Sequence, residues 1–221
     1  PPSVAWAGFE LLAGANGPVV FYLFGNHIAR IIDRLGTDAQ KKRFVQPMID
    51  RHWGGCMVLT EPDAGSDVGA GRTKAKHVKD DIYELTGVKR FITNGGVADL
   101  YVVFAKTDMT QKHRGISAFV VPATAPGFSV GKLEKKMGIK GSSTTAVYLD
   151  NVKVPVENVL GEIGRGHIIA FNILNLGRLK LGPSTLGGAK FVLRTSIAYA
   201  KQRKAFGAEI AKLGIDRKSV V

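Results

Sequence analysis

The residues with the most chemistry per unit length lie in Leu59-Thr60-Glu61-Pro62-Asp63-Ala64-Gly65-Ser66-Asp67. The stretch leaves an apolar segment and folds proline, glycine, hydroxyls and acids into a rigid turn. Hydroxyls and backbone N–H groups held in this way can hydrogen-bond the polar edge of a ligand and a pyrophosphate. By composition alone the same residues read as an ordinary loop. No nucleophile–base set stands out: Ser117 falls in an apolar run and Ser66 in the turn, neither with an obvious histidine partner. His27, His52, His77, His113 and His167 are scattered, without HxxxH or HExxH spacing. The single Cys56 excludes an intramolecular disulfide and any multi-cysteine metal site, so no metal is expected. Gly161-Glu162-Ile163-Gly164-Arg165-Gly166 could offer N–H groups to phosphate, but lacks the GxGxxG order and reads as a helix entry. Gly127–Lys132 is one residue short of a Walker loop.

The elements that must position these residues change along the chain. Residues 1–55 read as helical: Phe21, Ile28, Ile31, Ile32 and Leu35 follow a 3.6-residue period, Gly36 stops that helix, and Thr37 to Gln40 has capping-box spacing. A second helix runs through Phe44 and Val45 towards Trp53, with an irregularity expected at Pro47. From Cys56 the period becomes that of strands. Tyr83 and Leu85 alternate with Glu84 and Thr86, while Leu100–Ala105, Ile116–Val121 and Ala146–Leu149 are apolar runs of buried-strand type. Asn94-Gly95 reads as a hairpin-type turn and Ala125-Pro126-Gly127 as another, which together predict a compact β-barrel or sandwich over 56–160. After Pro155 the helical period returns through Ile169, Ile173, Leu176, Leu186, Leu193 and Ile197, with a kink or break expected at Gly182-Pro183.

The chain has 221 residues, 45% hydrophobic, and no apolar run near the ~18–20 residues that cross a bilayer. No targeting leader is visible after Pro1-Pro2. The net charge of +13 is concentrated at the end: residues 161–221 hold 11 basic and 3 acidic residues. Such a segment suits nucleic acid, anionic lipid or a phosphorylated ligand, or else a missing acidic continuation. A nucleic-acid-binding module is the alternative reading on charge, but no lysine- or arginine-dense run interleaved with aromatics accompanies it.

The turn at 59–67 resembles the flavin-binding signature of the acyl-CoA dehydrogenases, and further segments match in order. They are Gly36-Thr37 through Gln40-Lys41, Lys89-Arg90-Phe91-Ile92-Thr93-Asn94-Gly95, Glu134 through Ser142, Val152-Lys153-Val154-Pro155 with Asn158-Val159-Leu160-Gly161, and Arg203-Lys204-Ala205-Phe206-Gly207. The resemblance spans nearly all of residues 20–213; Glu134–Gly141 and Ile173–Arg178 look most like the very-long-chain branch. It implies an α+β fold: an N-terminal helical part (1–55), a middle β-barrel domain (56–160) and the first helices of a C-terminal bundle (161–215); apart from the resemblance, 216–221 is expected to be a non-native tail. The tail, Asp216 to Val221, reads as GAT CGG AAG AGC GTC GTG, a familiar sequencing-adapter string.

The resemblance also implies FAD as cofactor, a fatty acyl-CoA thioester as substrate, an electron-transfer flavoprotein as electron acceptor, and a homo-oligomer. Met57, Val58, Leu59 and Thr60 would line the isoalloxazine, and Gly65 and Ser66 would reach the pyrophosphate side, Ser66 also approaching CoA. Phe91, Ile92 and Thr93 would cover the other flavin face, Phe91 standing where most relatives have Trp. Leu174, Asn175 and Arg178 would contact acyl-CoA. Arg203 and Phe206 would contact FAD held by a neighbouring subunit, with Ala205 replacing a common glutamine. The implied reaction is α,β-dehydrogenation, or in an oxidase of the same fold the version that consumes O₂. In most of the family the glutamate base lies beyond the point where this chain ends; a minority place it just before the arginine matching Arg178, where Gly177 stands here. No catalytic residue is assigned within the chain, which is expected to be inactive alone. One free cysteine fits both the bacterial cytosol and the mitochondrial matrix.

Overall fold

The computed structural model describes residues 2–23, 25–79 and 81–214. The tail expected at 216–221 lies outside the described residues. In chain order the helices are α1 (Pro2–Ala15), α2 (Val19–Tyr22), α3 (Gly25–Leu35), α4 (Asp38–Gln40), α5 (Gln46–Asp50) and α6 (Gly166–Gln202). The strands are β1 (Gly55–Val58), β2 (Lys74–His77), β3 (Ile82–Thr93), β4 (Leu100–Lys106), β5 (Ile116–Pro122), β6 (Phe128–Leu133), β7 (Thr144–Pro155), β8 (Val159–Leu160), β9 (Lys204–Ala205) and β10 (Ala208–Glu209). The described residues form two compact units: residues 21–177, and the N-terminal segment to Val20 together with residues 178–214.

In the larger unit, Ile28, Ile31 and Ile32 put one face of α3 into the core while Arg30, Asp33 and Arg34 stay exposed. Phe21 belongs to the separate short helix α2 and not to this stripe. Gly36 closes α3 because a Cβ there would lie 2.5 Å from the Ile32 carbonyl oxygen, onto which the Gly36 N–H folds back at 2.7 Å. The capping box forms: the Gln40 N–H donates to Thr37 Oγ1 and the Thr37 N–H to Gln40 Oε1. The Gln40 amide then donates to the carbonyls of Glu157 and Val159, both at 2.7 Å, which ties the helical segment to the sheet. The irregularity expected at Pro47 is a π-helical turn over Lys41–Val45, just before the N–H that proline lacks.

The sheet runs β6-β7-β3-β2-β4-β5-β8, with β1 beside β4. Among the described residues this path begins at β6 and ends at the two-residue β8 without the two pairing, so the expected barrel is not closed. The Asn94-Gly95 turn is not a hairpin either, because β2 pairs between β3 and β4. Asn94, at φ +63°, instead turns the chain between non-adjacent strands, and its side-chain NH₂ donates to the Phe21 carbonyl at 2.8 Å. Strand β4 is buried on both faces and shows the period of two that follows from the pleat. Leu100, Val102 and Phe104 join α3 and the start of α6 in one core. Tyr101, Val103 and Ala105 meet Leu85, Val147, Val152 and Val154 in the other.

Helix α6 is not broken at Gly182-Pro183 but runs through Pro183. Thr185 Oγ1 donates to the carbonyls of Leu181 and Gly182, giving the carbonyls around the proline a side-chain partner.

Candidate functional site

The two stretches that carry the chemistry meet within the larger unit. β1 continues past Val58 into Leu59 and Thr60, and a tight turn then closes with reciprocal Glu61–Ala64 backbone bonds of 3.0 and 3.2 Å. Val58, Leu59 and Ile92 are core side chains, so only their backbones are available to a ligand. Met57 and Thr60 are half-buried, while Gly65 and Ser66 are exposed just beyond the turn.

The second stretch is bent by a β-bulge. Lys89 pairs with Val147 but Ile92 with Thr145, so β3 carries one extra residue at Arg90-Phe91. Without that extra residue, strand alternation would place Phe91 on the same face as Leu85 and Lys89, inside the core. Phe91 instead takes φ +54° and its ring stands 59% exposed, while Ile92 turns inward and Thr93 stays half-buried. The Arg90 guanidinium lies over the ring at 5.3 Å and pairs with Glu134. The Arg90 N–H donates to the Thr60 carbonyl at 2.8 Å, joining bulge and turn.

Beneath them sits an ion pair that sequence reasoning did not single out. Lys89 is 2% exposed, and its ammonium donates to the Leu59 carbonyl (3.1 Å), Glu61 Oε1 (2.8 Å) and the Phe104 carbonyl (2.6 Å). Glu61 also accepts the N–H groups of Arg72 and Thr73. Every donor of the ammonium is used, as a buried charge requires. The signal was present: Lys89 is in phase with inward-facing Leu85, two steps of strand alternation away. Burial pushes the Glu61 carboxyl up, but Lys89 and the backbone N–H groups more than offset this and hold it below the usual glutamate range. Burial holds the Lys89 ammonium below the usual lysine range, with Glu61 opposing.

A depressed carboxylate pKa stabilises the fold above its unfolded value of about 4.3. That contribution is lost as pH falls through the folded value. The urea midpoint of the wild-type chain should therefore drop more steeply below about pH 4.3 than that of Glu61→Gln, which has no carboxyl to protonate. Parallel curves for the two proteins would remove Glu61 as the source.

The remaining expected positions fall elsewhere. Leu174 is half-buried and Asn175 exposed on α6, within the larger unit. Arg178, Arg203 and Phe206 belong to the smaller unit. There, Phe206 and Gly207, at φ +55° and +78°, form the two-residue turn between β9 and β10, with the Phe206 ring 97% exposed. Cys56 is fully buried and burial pushes its thiol up, which makes it a poor nucleophile. Ser117 bonds Thr107 and accepts the Gly164 N–H, a structural role at the entry to α6. No group of histidine, cysteine and acidic residues that could hold a metal occurs among the described residues. No helix there is long and apolar enough to cross a membrane.

Residues 56–152 match the family described as acyl-CoA dehydrogenase, middle domain, and residues 164–219 that described as acyl-CoA dehydrogenase, C-terminal domain. The short-chain-specific acyl-CoA dehydrogenase of Megasphaera elsdenii is 44% identical over 184 residues, 83% of this chain and 48% of that protein. Butyryl-CoA dehydrogenase from the same organism superposes with a TM-score of 0.91 at 40% identity, over 96% of this chain and 56% of that one. An acyl-CoA dehydrogenase from Bacillus anthracis complexed with FAD gives a TM-score of 0.78 at 42% identity, over 84% and 32% respectively. The chain thus spans a third to somewhat more than half of the proteins it resembles.

Proposed function

Since this chain belongs to the acyl-CoA dehydrogenase family, we propose that it forms the flavin-holding part of an enzyme that desaturates acyl-CoA thioesters between Cα and Cβ. The observation that carries the reading is Phe91, a large aromatic ring held out of the core by a bulge and tied through Arg90 to Thr60. The groups present fit FAD. An exposed ring offers a stacking surface to a flat heteroaromatic system, and the Thr60 and Thr93 hydroxyls suit its polar edge. Exposed Gly65 and Ser66 suit the pyrophosphate side. When bound, FAD supplies the two-electron acceptor for the oxidation.

The protein's own part is to bind, orient and exclude water. Buried Val58, Leu59, Glu61 and Lys89 back one side of the site with core of low polarity, where hydrogen bonds gain strength. Ser66, Leu174, Asn175 and Arg178 are proposed to take acyl-CoA. Arg203 and Phe206 are proposed to reach the flavin of a neighbouring subunit in a homo-oligomer, with an electron-transfer flavoprotein as the partner that removes electrons. The carboxylate base is assigned to no residue of this chain: at the position before Arg178, Gly177 has no side chain to act with. The likeness to the very-long-chain branch finds no support in the names of these relatives, one short-chain specific and one a butyryl-CoA dehydrogenase. The acyl chain we propose is short.

Titration of the chain with FAD, followed by quenching of flavin fluorescence, tests the cofactor. Phe91→Ala should weaken binding by about two- to twelvefold, since an aromatic pair is worth roughly 0.5–1.5 kcal/mol beyond area burial, and Phe91→Trp should restore it. A wild-type chain that leaves the flavin emission unchanged would sink the reading.

A further inference from the structure

The turn carrying Thr60 and the bulge carrying Phe91 come from strands that do not pair with each other along their length: β1 lies beside β4, and β3 between β2 and β7. Among the described residues one backbone bond outside the strand ladders, Arg90 N–H to the Thr60 carbonyl, joins the turn to the bulge. The other link is the Lys89 ammonium. It reaches from the residue before the bulge to the Leu59 carbonyl, one residue before Thr60, and to the Glu61 carboxylate, one residue after it. Its third bond, to the Phe104 carbonyl, anchors the arrangement to β4, the strand buried on both faces. On its far side Glu61 holds the Arg72 and Thr73 N–H groups, which fixes the chain leading into β2. Thr60 is therefore gripped from both neighbours by one side chain that belongs to the opposite wall of the site.

From this geometry we propose that Lys89 and Glu61 are the positioning pair of the site, a buried clasp that sets how far Thr60 stands from Phe91. Both side chains are buried, at 2% and 8% exposure, so neither is available to a ligand. The pair acts through the backbone it holds, at the two walls between which a flat ligand has to fit. The inference rests on the flavin reading for its consequence, but the clasp itself is a property of the chain without ligand. A merely structural ion pair would add stability to the whole unit. A clasp fixes one local spacing, and its loss should show at the joint before it shows elsewhere.

The experiment compares Lys89→Met, which keeps the length of the stem and removes the charge, with Glu61→Gln, close in shape and uncharged. Val121→Ala, a fully buried residue of the other core, serves as a control for general loss of stability. Amide hydrogen exchange on the ligand-free chains reads the joint directly. In both clasp variants the Arg90 amide should exchange at least tenfold faster, while amides of β4 and β5 stay protected; in Val121→Ala the Arg90 amide should not open selectively. FAD affinity should fall at least tenfold in the clasp variants and much less in the control. Protection of Arg90 unchanged in the clasp variants, or FAD affinity lost equally in Val121→Ala, overturns the proposal. If Lys89→Met does not fold, Glu61→Gln decides alone by the same criteria. If Arg90 opens in the variants but the wild-type chain does not bind FAD, the clasp stands and the flavin reading fails.

Discussion

Phe104→Ala should destabilise the larger unit by about 3–5 kcal/mol, the usual cost of emptying a phenylalanine site in a core. The ring is 1% exposed and sits among residues of α3, β4, β5 and the first turns of α6. Those elements come from distant parts of the sequence. The carbonyl of the same residue accepts the Lys89 ammonium and is not removed by the substitution. The expected result is thus a large fall in the urea midpoint with little change in the selective protection of the Arg90 amide. A loss below about 1 kcal/mol would mean that the two helices collapse onto the sheet and fill the cavity. Opening of Arg90 in step with the stability loss would show that the joint depends on the core and not on the ion pair.

Much of this was legible in the sequence because local physics decided it. The stripe of Ile28, Ile31 and Ile32, the stop at Gly36 and the Thr37–Gln40 box each depend on residues within one helical turn. The apolar runs that became β4 and β5 are buried on both faces, so hydrophobicity alone marks them. β2, whose sequence is Lys-Ala-Lys-His, buries only Ala75 and offers no such mark. Its place between β3 and β4 turned the expected Asn94-Gly95 hairpin into a turn between non-neighbours. Pairing of distant strands is not written in any short window, and neither is the failure of a sheet to close.

The candidate site divides in the same way. Phe91 could be named by resemblance, but its exposure could not be derived from alternation, which places it inside with Leu85 and Lys89. One extra residue in β3 reverses that outcome, and only the register with β7 reveals it. Lys89 shows the opposite case. Alternation correctly puts it inward, and the expectation that lysine is exposed hides it. A charged residue in the inward phase of a strand is itself the clue that a buried partner exists. Here the partner lies 28 residues earlier, in the turn richest in polar groups.

In the smaller unit, Gly187→Ala should cost roughly 1–3 kcal/mol, the range for forcing extra volume into a filled contact. A Cβ at Gly187 would fall 2.0 Å from the Glu10 carbonyl oxygen and 2.9 Å from its carbon, both backbone atoms of α1 that cannot swing aside. Gly14 faces the same point from the other side: a Cβ there would lie 3.0 Å from the Gly187 carbonyl oxygen. The two helices therefore touch backbone to backbone. The flanking contacts, Lys190 with Glu10 and the Lys180 ammonium 4.4 Å from the Phe9 ring centre, depend on that approach. Partial burial lowers the Lys180 ammonium to about 8, so separation of α1 should also return its titration towards the ordinary lysine range. Gly188 is the internal control, since a Cβ there meets nothing within 4 Å. Gly188→Ala should gain up to about 1 kcal/mol from helix propensity alone. Hydrogen exchange would separate the cases: in Gly187→Ala the α1 amides lose protection while β4 and β5 keep theirs. Equal effects of the two alanines would mean that helix propensity, and not the close approach, governs this crossing.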